Sequence, residues 1–130
     1  MFLLNTKFDE FDWTMSGWGA LLDLAVAHGW RPAGTISRTS VRTSSRPWPF
    51  DRVLKRWRGG YDSNDAQIVT TQDARALAVA LERSLRHIPD KPIKTAPEEK
   101  DPHLLLSGRA TKNDIRLFIT FCRRGAFQIR

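Results

Sequence analysis

The sequence predicts an α+β domain, mainly α, with three principal helices, one short helix and a small two- or three-stranded β element. Three observations carry this. Apolar residues recur at helical spacing in three separated stretches, short apolar pairs flank the later two, and prolines and glycines punctuate the chain between them. A length of 130 residues indicates one domain, 1–130, and its 41% hydrophobic and 27% charged content suits a folded globule with a real core. Five tryptophans and seven phenylalanines supply large rings to fill that core.

The first helix is expected at about 16–28. Ser16 reads as its N-cap, and Trp18, Leu21, Leu22, Ala25 and Val26 form one stripe. Gly29 suits the left-handed stop, with Pro32 shortly beyond. Residues 35–48 are rich in Ser, Thr and Arg and show no apolar face, so they read as a basic loop or a charged edge strand. Phe50, Val53, Leu54 and Trp57 then fall at helical spacing behind Pro49, which predicts a short helix at about 50–57. Ser63, Asn64 and Asp65 read as a turn, and Ile68–Val69 as a short strand.

Thr70 and Asp73 have capping-box spacing and open a second helix at about 72–87. Its stripe is Ala74, Leu77, Ala78, Leu81, Leu85 and Ile88, and Pro89 ends it. The segment 89–102 is proline-rich, charged and suited only to an exposed connection. Leu104, Leu105 and Leu106 form a brief apolar strand or helical turn. Thr111 and Asp114 repeat the cap spacing before a helix at about 112–123 with Ile115, Phe118, Ile119 and Cys122 on one face. Gly125 stops it, and Phe127–Ile129 alternates as a terminal strand suited to pair with Ile68–Val69.

Charge is the most uneven feature. Between Arg31 and Arg58 stand eight basic side chains, Arg31, Arg38, Arg42, Arg46, Arg52, Lys55, Arg56 and Arg58, against Asp51 alone. That segment carries +7, the net charge of the whole chain, so the remainder is balanced. Such a field attracts polyanions and acidic surfaces. Arginine offers a planar fork of donors to phosphate and carboxylate, and Trp48, Phe50 and Trp57 are interleaved with it, as in surfaces that stack unpaired bases. A plain solvated loop, partly neutralised by Asp9, Glu10 and Asp12, is the competing reading.

Other chemistry is sparse. The histidines, His28, His87 and His103, are scattered with no metal-ligand spacing, and the first two suit the ends of predicted helices, where the dipole favours a cation. Cys122 sits on an apolar face and reads as core. The Tyr61–Asp65 cluster lacks the spaced acids and closing glutamate of an EF-hand loop. No phosphate loop, nucleophile elbow or zincin motif is present, so no cofactor, metal or catalytic residue is expected. The N-terminal MFLLNTKFDE does not read as a secretory signal, and no apolar run nears the ~20 residues that span a bilayer. With a single cysteine, a cytoplasmic location is expected.

The segments GWRPAGT (29–35), WRGGYDSNDAQIV (57–69), DARALAVALE (73–82) and FITFCRRGAFQI (118–129) resemble an uncharacterised family of small bacterial proteins. The chain departs from that pattern at Ala66 and Ala126, where glycine is expected. The resemblance implies a shared small fold and an interaction or immunity-like role, with no catalytic residues to carry over. The expectation is a non-enzymatic interaction protein that binds an acidic protein partner through Arg38, Arg42, Arg46, Trp48, Arg52, Lys55, Arg56 and Arg58. The alternative is a nucleic-acid-binding module that uses the same residues. An anionic membrane surface is the least favoured partner.

Overall fold

The computed structural model describes the backbone of residues 1–37 and 54–130, and the side chains of 1–36 and 59–130. Its elements run β1 (Phe2–Asn5), β2 (Glu10–Asp12), α1 (Met15–Ala27), β3 (Thr35–Ser37), β4 (Leu54–Gly59), β5 (Ile68–Val69), α2 (Thr71–Ser84), α3 (Pro102–Leu105), α4 (Arg109–Arg123) and β6 (Phe127–Ile129). A 3-10 turn, Leu85–His87, extends α2. The α+β class holds, with three principal helices.

The β component is larger than expected. Among the described residues six strands form one sheet in the order β2-β1-β6-β5-β3-β4, and every neighbouring pair is antiparallel. Most strands have only two to four residues, too few for alternation to stand out in the sequence. The anticipated pairing of the two short strands is present: Ile68 lies opposite Gln128 and Val69 opposite Phe127.

Alternation along the strands divides the apolar residues between two faces. Leu3, Val69, Phe127 and Ile129 join Leu21, Leu24, Leu77, Leu81 and Ile115 in the main core beneath the helices. Leu4 and Ile68 form a second, smaller cluster with Ile36 and Ala126. Phe118 is the aromatic centre of the main core. Its ring contacts Phe11 at a centroid separation of 5.1 Å, Trp13 at 5.7 Å and Trp18 at 5.9 Å. Cys122 is fully buried there, and burial pushes its thiol pKa up, so it is core as expected.

Several boundaries differ from the sequence reading. Thr14, not Ser16, caps α1, accepting from the Gly17 amide at 3.0 Å. Its extended backbone turns the hydroxyl onto the first turn of the helix. Gly29 takes the left-handed stop at φ +97°. Helix α4 starts at Arg109, not 112, because Gly108, at φ +107°, reverses the chain there and donates to the Pro89 carbonyl at 2.9 Å. Lys112 is thereby drawn inside and reaches Asp90 at 2.7 Å. Residues 88–101 hold no helix or strand, and Asp101 caps the short α3.

The helix expected at 50–57 is not formed over 54–57, which belongs to β4; residues 50–53 lie outside the described residues. Eight residues at helical spacing gain few internal hydrogen bonds, and pairing with β3 (Thr35 opposite Gly59, Ser37 opposite Leu54) gives the backbone a better ladder. The segment 35–48 begins as strand, and β3 is interior, between β5 and β4. Among the described residues, no helix is long and apolar enough to cross a membrane.

Ala66 enters β5 at φ +61°, the left-handed region where a Cβ is disfavoured. Replacing it with glycine, Ala66→Gly, should raise unfolding free energy by about 0.5–1 kcal/mol in urea titrations.

Candidate functional site

The two flanks of the basic segment meet at one place. A buried carboxylate, Asp73 in the first turn of α2, holds that place together. It accepts from the Ala33 amide at 3.1 Å, the Gly34 amide at 3.3 Å and the Tyr61 hydroxyl at 2.6 Å. The Asp73 carbonyl accepts from Trp30 Nε1 at 3.0 Å, and the Tyr61 carbonyl from Trp18 Nε1 at 2.7 Å. Thr35 Oγ1 donates to the Gly60 carbonyl at 3.1 Å. Residues 33–35 and 60–61, the two feet of the segment, are thus pinned to one helix end. The capping relation with Thr70 is realised only from one side: Thr70 Oγ1 accepts from the Asp73 amide at 3.1 Å, while the Asp73 carboxylate is spent across the fold.

The polar loop after the second foot is a clamped turn. Gln67, nearly fully buried, accepts from the Asp65 amide at 2.8 Å and donates to the carbonyls of Gly60 and Ser63. Ser63 donates to Asp65 at 2.7 Å. These groups satisfy one another, which accounts for the density of polar residues without a ligand.

Of the sequence-predicted site residues, Lys55, Arg56 and Arg58 lie on β4, at the end of the sheet. Arg38, Arg42, Arg46, Trp48 and Arg52 lie outside the described residues. Arg31 is exposed, just ahead of the first foot. The acidic residues Asp9, Glu10 and Asp12 belong to the hairpin at the opposite end, where β2 lies. Five strand spacings, about 24 Å, separate β2 from β4. That is roughly three Debye lengths at physiological salt, so these acids do not neutralise β4.

They are also engaged locally. Asp12 lies 3.6 Å from the N-terminal ammonium, and Asp9 pairs with Arg124. Hydrogen bonds from Asn5 and then Arg124 hold the Asp9 carboxyl below its usual range. Glu82 pairs with Arg123, and Lys112 holds the Asp90 carboxyl low in the same way.

The histidines are not scattered in the fold. His28 closes α1, His87 closes the turn after α2, and His103 lies in α3. His28 stacks on His87 at a centroid separation of 5.2 Å and meets His103 edge-on at 5.1 Å. The Nε2 atoms of His28 and His103 are 2.8 Å apart, and His103 Nδ1 is 2.8 Å from Asp101 Oδ1. Spacing could not reveal this, because the residues are brought together only by the meeting of three helix ends. The expected placement of His28 and His87 at helix ends is the one visible hint.

A scan against protein-family models, a search of curated proteins and a search of solved structures each gave no match.

Removing the central carboxylate strands a buried hydroxyl and two amides. Asp73→Ala should therefore lower unfolding free energy by about 3 kcal/mol, and Tyr61→Phe by about 1 kcal/mol, in urea denaturation. A loss below about 1 kcal/mol for Asp73→Ala would contradict this role.

Proposed function

We propose that this chain is a small, non-enzymatic interaction protein, of the bacterial immunity-like kind its motifs resemble, that binds an acidic protein partner through the basic segment. The carrying observation is the partition of charge. All the net charge lies between Arg31 and Arg58, on a segment whose feet are fixed by Asp73 and whose returning strand ends the sheet opposite its acidic hairpin. Pinned feet lower the ordering cost of presenting such a segment, because less freedom remains to be lost on binding. A concentrated cationic field also speeds encounter with an acidic surface. Arg38, Arg42, Arg46, Trp48, Arg52, Lys55, Arg56 and Arg58 are the proposed contact residues, with Trp48 as the aromatic anchor among charges.

Reversal of four charges, Arg38→Glu, Arg42→Glu, Arg46→Glu and Arg56→Glu, should abolish recovery of the acidic partner in pull-downs while leaving the circular dichroism spectrum intact. Unchanged recovery would contradict the proposal. Gel shifts with random DNA and RNA should show no complex at about 0.15 M salt. Binding whose log K falls with log salt at a slope of about −4 would assign the segment to nucleic acid instead.

A further inference from the structure

We infer that His28 and His103, joined by His87, form a binding site for a divalent first-row transition-metal ion. The Nε2 atoms of His28 and His103 face each other at 2.8 Å in a hydrogen bond, and a turn of each ring out of that line brings both nitrogens onto one ion. Asp101 receives the Nδ1 proton of His103 at 2.8 Å, so His103 Nε2 accepts the Nε2 proton of His28; a metal ion takes the place of that proton, and His28 holds its remaining proton on Nδ1. A carboxylate behind an imidazole is the usual outer support of a metal-binding histidine. Asp101 is itself held in place, accepting also from the His103 amide at 3.0 Å.

The spacing suits a metal. With metal–nitrogen bonds of about 2.05 Å, nitrogens 2.8 Å apart subtend about 86°, the cis angle of a tetragonal or octahedral site. Opening the pair by about 0.5 Å gives the tetrahedral angle of zinc. Among the described residues, no three His, Cys, Asp or Glu side chains are already gathered as a metal-binding group. His87 therefore joins by turning its ring. It is exposed, stacks on His28, and its Nε2 accepts from Arg86 Nε at 3.3 Å, so that nitrogen carries a lone pair. Water fills the remaining coordination positions.

The test is calorimetric titration of the tag-free chain with Ni²⁺, Cu²⁺ and Zn²⁺, with thermal unfolding in parallel. At least one of these metals should bind one to one and raise Tm. His28→Gln and His103→Gln should each weaken that binding about 100-fold, and His87→Gln and Asp101→Asn about 10-fold. No saturable uptake of any of the three, or uptake that survives the His28→Gln/His103→Gln double variant, would overturn the site; binding unchanged in His87→Gln would remove the third ligand. Imidazole ¹⁵N spectra of the unsubstituted protein give a readout free of folding effects. Zn²⁺ should move the Nε2 signals of His28 and His103, and unmoved signals would overturn the inference for zinc.

Discussion

The fold turns on one buried carboxylate. Asp73 gathers the Ala33 and Gly34 amides and the Tyr61 hydroxyl, and its carbonyl gathers the Trp30 indole. These partners come from 12 to 43 residues away, so the contact closes long loops and is reached only once the body has formed. A charge this well buried is tolerable because three donors surround it. Trp30, the Ala33 and Gly34 amides, Tyr61 and the start of the α2 helix thus meet at one structural joint.

From this joint the rest follows in order. The joint fixes the feet of the basic segment, β3 and β4 extend the sheet away from it, and the antiparallel order leaves the acidic hairpin at the far end. The distance of Lys55, Arg56 and Arg58 from the acidic hairpin is therefore a consequence of strand order. The core beneath is ordinary: the aromatic cluster around Phe118 and the leucine faces of α1 and α2 seal one side of the sheet.

Local signals in the sequence were sound where local physics decides the outcome. Thr70 caps α2, Gly29 and Gly125 take positive φ, and β5 and β6 pair as their patterns suggested. Signals failed where tertiary contacts decide. Phe50, Val53, Leu54 and Trp57 match a helix by spacing, yet 54–59 is strand because β3 supplies a partner. The start of α4 moved to Arg109 because Gly108 bonds to Pro89, nineteen residues earlier. The basic site was legible as charge alone, with five of its eight named residues outside the described residues. The histidine cluster was not legible, since only the packing of three helix ends assembles it.

Amide hydrogen exchange in Asp73→Asn is the most direct test of the joint. If Asp73 holds the feet of the basic segment, protection at Thr35, Ile36 and Gly59 should collapse while Ile119 and Phe121 in α4 keep most of theirs. An even loss across the molecule, or unchanged protection at β3 and β4, would contradict the account.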